Sequence, residues 1–213
     1  MKQNSLIIEL HYLPSIQYFV YFNYYKNIFI DPADNYIKQS FRNRCRINGA
    51  NKPEDLIIPI KKIPPPKKTI QMEIDYQQKW LNKHLRAIQS AYGKAPFFEY
   101  YAEDLLAVYQ KKHEFLFDLT HELLTQCLDF LQFDVTLKFT TAYHSLEKTP
   151  QNDFRSKINP KSTPDIINTY TPFIYQQVFG NNFVNNLSVI DLIFCEGPQA
   201  GVIIKSGIAE GTH

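Results

Sequence analysis

The stretch Leu6 to Ile30, LIIELHYLPSIQYFVYFNYYKNIFI, decides the fold class. Leu6-Ile7-Ile8-Glu9-Leu10 is a short apolar run between polar residues, the pattern of a buried strand. It ends at His11-Tyr12-Leu13-Pro14-Ser15, where Ser15 is a suitable helix N-cap. From Ile16 to Lys26 the rings recur at helical spacing, and Asn27 can end that helix. Ile28-Phe29-Ile30 then reads as a second strand, closed by Asp31-Pro32-Ala33-Asp34. Strand, helix and strand in succession make a βαβ unit, and a helical crossover is what parallel pairing requires.

Beyond this unit, Arg44-Cys45-Arg46-Ile47 and Leu56-Ile57-Ile58-Pro59-Ile60 flank a turn-rich link containing Asn48-Gly49, which predicts a hairpin. The segment from Ile63 to Lys68 carries Pro64-Pro65-Pro66 and reads as an extended linker, and Ile70 to Ile74 alternates like a strand. Then the period changes. Trp80, Leu81, His84, Leu85, Ile88, Ala91 and Tyr92 fall on one helical face that stops at Gly93. Helices are expected near Glu103 to Lys112 and Phe115 to Phe133, with Cys127 inward, and a strand at Val135 to Phe139. Residues 145–165 are polar and too long for an ordinary connection, so a flexible loop or lid is expected. Two short helices, Pro172 to Phe179 and Val189 to Cys195, and a tail complete residues 171–213. The expected fold is a single α/β domain over residues 1–213. It has a short parallel or mixed sheet, an N-terminal βαβ unit, a β-hairpin insertion and a C-terminal helical half.

Composition excludes several classes. Of 213 residues, 44% are apolar, far above a disordered chain, and the net charge is only +2. A general nucleic-acid binder needs a concentrated basic face, so that function is not expected. No apolar run approaches the ~18 residues of a membrane span, and Glu9 interrupts the N-terminal apolar stretch, so no secretory signal is expected. Three separated cysteines, Cys45, Cys127 and Cys195, fit a reducing cytoplasm and form no metal or redox pair. His121-Glu122 begins like a zinc-protease motif, but Thr125 stands where the second His must be. There is no phosphate-binding glycine loop and no nucleophile elbow; no metal and no cofactor are assigned.

What chemistry remains lies beyond the strand ends, where open α/β sheets bind ligands. His11 occupies such a place and is either a general acid or base or a turn cap; Tyr12 stands beside it. The helix beginning at Ile16 offers its N-terminal amides to an anion. Asn35, Tyr36, Lys38, Ser40, Arg42, Asn43 and Arg44 crowd hydrogen-bonding and basic groups beside the hairpin. They suit phosphate oxygens or, alternatively, form a solvated basic edge. His84 is a second candidate for proton transfer or a hydrogen-bonded core histidine, and Tyr12, Tyr18 and Tyr100 are candidates to line a sugar site.

The order of motifs resembles the WbqC-like protein family. The resemblance rests on Tyr12-Leu13-Pro14 after a strand, Tyr18-Phe19, Lys38 to Ile47 with Asn43-Arg44, Leu56 to Ile60, Trp80 with Lys83-His84, Tyr92 with Ala95 to Phe98, and the strand at Val135. Tyr175 to Phe179 and Asn186 to Leu192 with Glu196-Gly197-Pro198 look like the Bacteroidetes branch. The chain departs from the family in having Glu9-Leu10-His11 before Tyr12, and Thr140-Thr141 where a Ser pair is common. The resemblance implies a bacterial setting of surface-polysaccharide (O-antigen) biosynthesis and the modification of amino sugars. The expected function is acyl or aminoacyl transfer onto a nucleotide-linked amino sugar. His11 and His84 would be catalytic, the Lys38 to Arg44 segment would hold phosphates, and the partner would be a nucleotide-sugar or acyl donor. The alternative is a non-catalytic binding or scaffold protein that uses an aromatic surface. The sequence leaves the oligomeric state open.

Overall fold

The structure, a computed structural model, describes residues 3–62, 64–65, 67–140, 153–160, 172–180 and 182–207. The βαβ unit forms as its pattern requires: β1 (Gln3–Ile8), α1 (Ile16–Phe22) and β2 (Tyr25–Ile30), with Leu6 opposite Ile28 and Ile8 opposite Ile30 in parallel register. A third parallel strand, β5 (Leu137–Phe139), joins the other edge of β2, with Phe139 opposite Ile30. The sheet order is therefore β1-β2-β5, and all three strands end on one edge. Leu6, Ile8, Ile28 and Ile30 are fully buried on a shared face, which fixes the register, since a one-residue slip would turn them outward. Helix α1 has every residue buried, so its aromatic run Tyr18 to Phe22 is core.

The hairpin pairs β3 (Arg44–Asn48) with β4 (Pro53–Ile57), Cys45 opposite Leu56 on the buried face and Arg46 opposite Asp55 on the exposed one. The helical half contains α2 (Trp80–Tyr92), α3 (Phe98–Gln110), α4 (Leu116–Phe130), α5 (Val189–Glu196) and α6 (Ala200–Ser206). Trp80, His84, Ile88, Ala91 and Tyr92 form the inner face of α2, as their spacing predicts. Helix α6 approaches the end of α4 so closely that a Cβ on Gly201 would lie 2.1 Å from the Leu131 carbonyl oxygen. Only glycine fits there.

Several elements differ from the sequence reading. Helix α1 ends at Phe22, and Asn27 lies inside β2, because parallel pairing claims Tyr25 onward. The alternation from Ile70 to Ile74 is not a strand. A 3₁₀ turn, Thr69–Gln71, is followed by single bridges from Glu73 to Phe115 and from Ile74 to Ile60, which bury Met72 and Ile74 without a ladder. Helix α3 starts at Phe98 rather than near Glu103. Residues 172–179 are not helical; side chains, not a backbone ladder, hold them. Of the expected loop at 145–165, residues 145–152 and 161–165 lie outside the described residues, and residues 153–160 pack on the sheet.

The anchor of the 172–184 segment is Asp191, fully buried in the first turn of α5. Tyr175 Oη donates to its Oδ2, and Gln177 Nε2 donates to the same oxygen at 3.0 Å, while Oδ1 has no partner. Burial pushes the Asp191 carboxyl above its ordinary value, and the polar groups of Tyr175, Tyr92 and Gln177 around it offset only part of this. A carboxyl whose folded value is raised favours folding below its unfolded value, near 3.8, and that contribution is lost as pH rises through the folded value. Asp191→Asn keeps an acceptor for Tyr175 and Gln177. It is therefore expected to match or exceed the wild-type denaturation midpoint at pH 7, with the difference shrinking toward pH 4. A large loss at neutral pH would show that the charge itself is needed.

Candidate active site at the carboxyl rim of the sheet

The residues just past the last paired positions of the three parallel strands are Glu9, Asp31 and Thr140. Thr140 N–H donates to the Ile30 carbonyl at 3.0 Å, which keeps it in register with Asp31. Adjacent strands lie about 4.8 Å apart, so two carboxylates and a hydroxyl form one row across the edge where α/β sheets bind ligands. Glu9 is 1% and Asp31 8% exposed, so neither is an ordinary surface acid.

Glu9 is tied down from three sides. His11 Nε2 lies 3.2 Å from its Oε1, Arg42 Nη1 lies 3.4 Å from the same oxygen, and the Ser156 N–H donates to both oxygens at 3.0 and 2.9 Å. Burial pushes the Glu9 carboxyl up, but the His11 hydrogen bond, the His11 and Arg42 charges and the Ser156 amide outweigh it, and the net direction is down. Glu9 is thus an ionised acceptor, so His11 donates from Nε2. Its other ring nitrogen, Nδ1, is buried with no hydrogen-bond partner. The ring packs against Tyr18 and Phe41 at 4.8 and 5.6 Å. While the imidazole is neutral, a carboxylate on one ring nitrogen and no partner on the other is the arrangement that lets a histidine accept a proton as a general base.

Arg42, 1% exposed, faces inward rather than toward solvent. Its Nε and Nη2 donate to Asp34 Oδ2 at 2.8 and 2.6 Å, and Nη2 also donates to Ser156 Oγ at 3.1 Å. Burial raises the Asp34 carboxyl, the charge and hydrogen bond of Arg42 lower it in part, and nearby Glu9 and Asp31 raise it again. Asp31 accepts from Thr140 Oγ1 and the Ala33 amide on one oxygen and from Arg155 Nη1 on the other. Carboxylates and cations alternate at the rim: Glu9, Asp31, Asp34 and Asp153 face Arg42 and Arg155, and the Lys157 charge acts on Asp153.

The remaining expected site residues separate into three groups. Tyr12 and His84 form a second buried network, in which Tyr12 Oη lies 3.0 Å from His84 Nδ1 and 2.7 Å from Tyr109 Oη. Burial lowers His84 to about 4, so it is neutral near pH 7 and accepts from Tyr12, which bridges it to Tyr109, apart from His11. Tyr18 donates to the Glu9 carbonyl at 3.0 Å, Ser40 to the Ile37 carbonyl at 2.7 Å and Asn43 to the Ile58 carbonyl at 2.7 Å; these shape the rim's surroundings. Asn35, Lys38 and Tyr100 are exposed, Tyr36 and Arg44 half-buried, and burial lifts Tyr36 to about 12. Tyr100, on α3, is 75% exposed. The amides at the start of α1 are taken: Ile16 N–H donates to the Leu187 carbonyl and Gln17 N–H to Asn186 Oδ1, so they do not present an open anion site.

Three open surface clefts lie elsewhere. One of about 520 Å³ sits at the hairpin turn, one of about 190 Å³ between that turn and residues 179–184, and one of about 320 Å³ between α2 and α3. None is lined by His11, Arg42 or His84. Sequence reasoning missed Glu9, Asp31, Asp34, Thr140 and the residues 153–157 that cover them. The signal for Glu9 was present as a charge at the end of an apolar strand; that for the cover was not, because it comes from far along the chain. Among the described residues, no group of three or more His, Cys, Asp or Glu could hold a metal ion, and no helix is long and apolar enough to cross a membrane.

The fold and rim define an α/β protein with a carboxylate- and histidine-bearing centre at the carboxyl edge of a parallel sheet. The model of the WbqC-like protein family matches residues 10–160, more than half of the chain, and the chain belongs to that family, which relates to polysaccharide biosynthesis. No curated protein and no solved structure matches the chain.

Proposed function

We propose that the protein is a transferase that acylates or aminoacylates the amine of a nucleotide-linked amino sugar in surface-polysaccharide biosynthesis, acting in the cytoplasm. The observation that carries this is the Glu9–His11 pair, with one ring nitrogen on an ionised carboxylate and the other unoccupied. The two carboxylates of the row, Glu9 and Asp31, suit an ammonium better than a phosphate. The Glu9–His11 pair takes one proton from the ammonium, the neutral amine nitrogen then attacks the acyl carbonyl, and the bond to the leaving group breaks as that group departs with the nitrogen's second proton. Arg42 holds Glu9 in place, its own charge being engaged by Asp34 and Glu9. Phosphates fall to the exposed Lys38 and to Arg44, whose Nε is buried without a hydrogen-bond partner. Motifs at 175–198 lie outside the family match and support a Bacteroidetes-type member. The scaffold alternative is less favoured because the rings of Tyr18, Phe19 and Phe22 are core, not surface.

A thermal-shift panel of nucleotide-activated amino sugars, acyl-CoA and free nucleotides tests the reading. A ligand present at a hundred times its Kd stabilises by about 2.7 kcal/mol, and an amino-sugar nucleotide is expected to do so. Silence across the panel would overturn it.

A further inference from the structure

Residues 153–157 lie across the row and place a donor on each of its carboxylates: Ser156 N–H on Glu9 and Arg155 Nη1 on Asp31. Ser156 adopts φ +63, the left-handed region that side-chain-bearing residues avoid, and in that conformation presents its amide to Glu9. Phe154 N–H donates to the Ile7 carbonyl at 2.8 Å, so the segment docks on the free edge of β1, and its ring packs on Tyr21 at 4.6 Å. Thr140 Oγ1 and the Ala33 amide fix the other Asp31 oxygen and aim the carboxylate at Arg155. The chain itself thus fills the place where such sheets receive ligands.

We propose that Asp31, backed by Thr140, is the ammonium subsite for the acceptor, and that Arg155 is its built-in competitor. This rests on the reading of the rim as an amine-acceptor site. The acceptor's ammonium replaces the Arg155 guanidinium on Asp31, one strand spacing from the Glu9–His11 pair that takes its proton. Acylation turns the ammonium into a neutral amide, which cannot compete with Arg155. The cover then recloses as the product leaves, so the segment responds to the charge that the reaction removes. The free amine of the acceptor is recognised and the N-acylated sugar is not.

The test is an NMR titration of wild type, Arg155→Ala, Arg155→Lys and Arg155→Ala/Asp31→Asn with glucosamine and with N-acetylglucosamine. Apparent affinity falls by the fraction of molecules with the competitor displaced, so Arg155→Ala is expected to bind glucosamine about tenfold or more tightly than wild type. N-acetylglucosamine gains nothing, Arg155→Lys behaves as wild type, and the added Asp31→Asn abolishes the gain. Amide exchange in the wild-type protein gives a check independent of the variants' folding: glucosamine at saturation speeds exchange of the Ser156 amide. Equal gains for both sugars, no gain in Arg155→Ala, or an unchanged Ser156 amide with glucosamine bound would overturn the subsite while leaving the amine-acceptor reading standing. Failure of every form to bind glucosamine would overturn both.

Discussion

Arg42→Ala is expected to destabilise the protein by about 3–5 kcal/mol, the cost of removing one partner from a buried ion pair. The guanidinium is 1% exposed and is shared by Glu9, Asp34 and the Ser156 hydroxyl. Without it, two carboxylates face each other at the rim with no buried cation between them. Denaturant unfolding of the variant measures the effect, and Asp34→Asn in the same background should recover part of it because one of the stranded charges is gone. The effect has a pH signature. Glu9 is held below its ordinary value, so its contribution is present above the unfolded value, 4.5, and is lost as pH falls through the lower folded value. Arg42→Ala should flatten that acid limb. A loss under about 1 kcal/mol would place Arg42 among solvent-screened pairs.

His11→Gln is expected to lower the transfer rate by about 10²–10⁴-fold, the range attributed to a positioned general base. Glutamine can still donate to Glu9 from its amide nitrogen and fills most of the space between Tyr18 and Phe41, so the fold should survive. What it lacks is a group that accepts the proton of the attacking amine. Steady-state kinetics on the donor and acceptor identified by the ligand panel would check this, with His84→Gln as the contrast. His84 accepts from Tyr12 in a separate buried network, so its replacement should lower stability with a far smaller loss of rate per folded molecule. Equal rate losses for the two variants would contradict the separation of the clusters.

Much of the fold was legible because it follows local rules. The βαβ unit, the Asn-Gly hairpin and the Trp80 helix each declare themselves through period and turn chemistry, and each forms. The misread elements are those decided by tertiary pairing. Asn27 reads as a helix stop until β1 recruits Tyr25 onward into a strand, and Ile70 to Ile74 alternates without meeting a partner strand of matching length. At the site, the sequence pointed to His11 and Arg42 but assigned Arg42 to phosphates. Nothing local tells that Asp34 and Glu9 converge on its guanidinium. The same holds for Ser156, which reaches Glu9 from far along the chain. His11 and Tyr12 show the limit most plainly, since neighbouring residues enter separate polar clusters.

The most direct measurement of the central claim is chemical-shift mapping of an amino sugar onto the ¹⁵N-labelled protein. The account predicts that the perturbed amides gather at Glu9, Asp31, Thr140 and Ser156, around the carboxyl ends of the three parallel strands. Perturbations gathered at the hairpin turn near Gly49 to Pro53, or in the groove between α2 and α3, would contradict it.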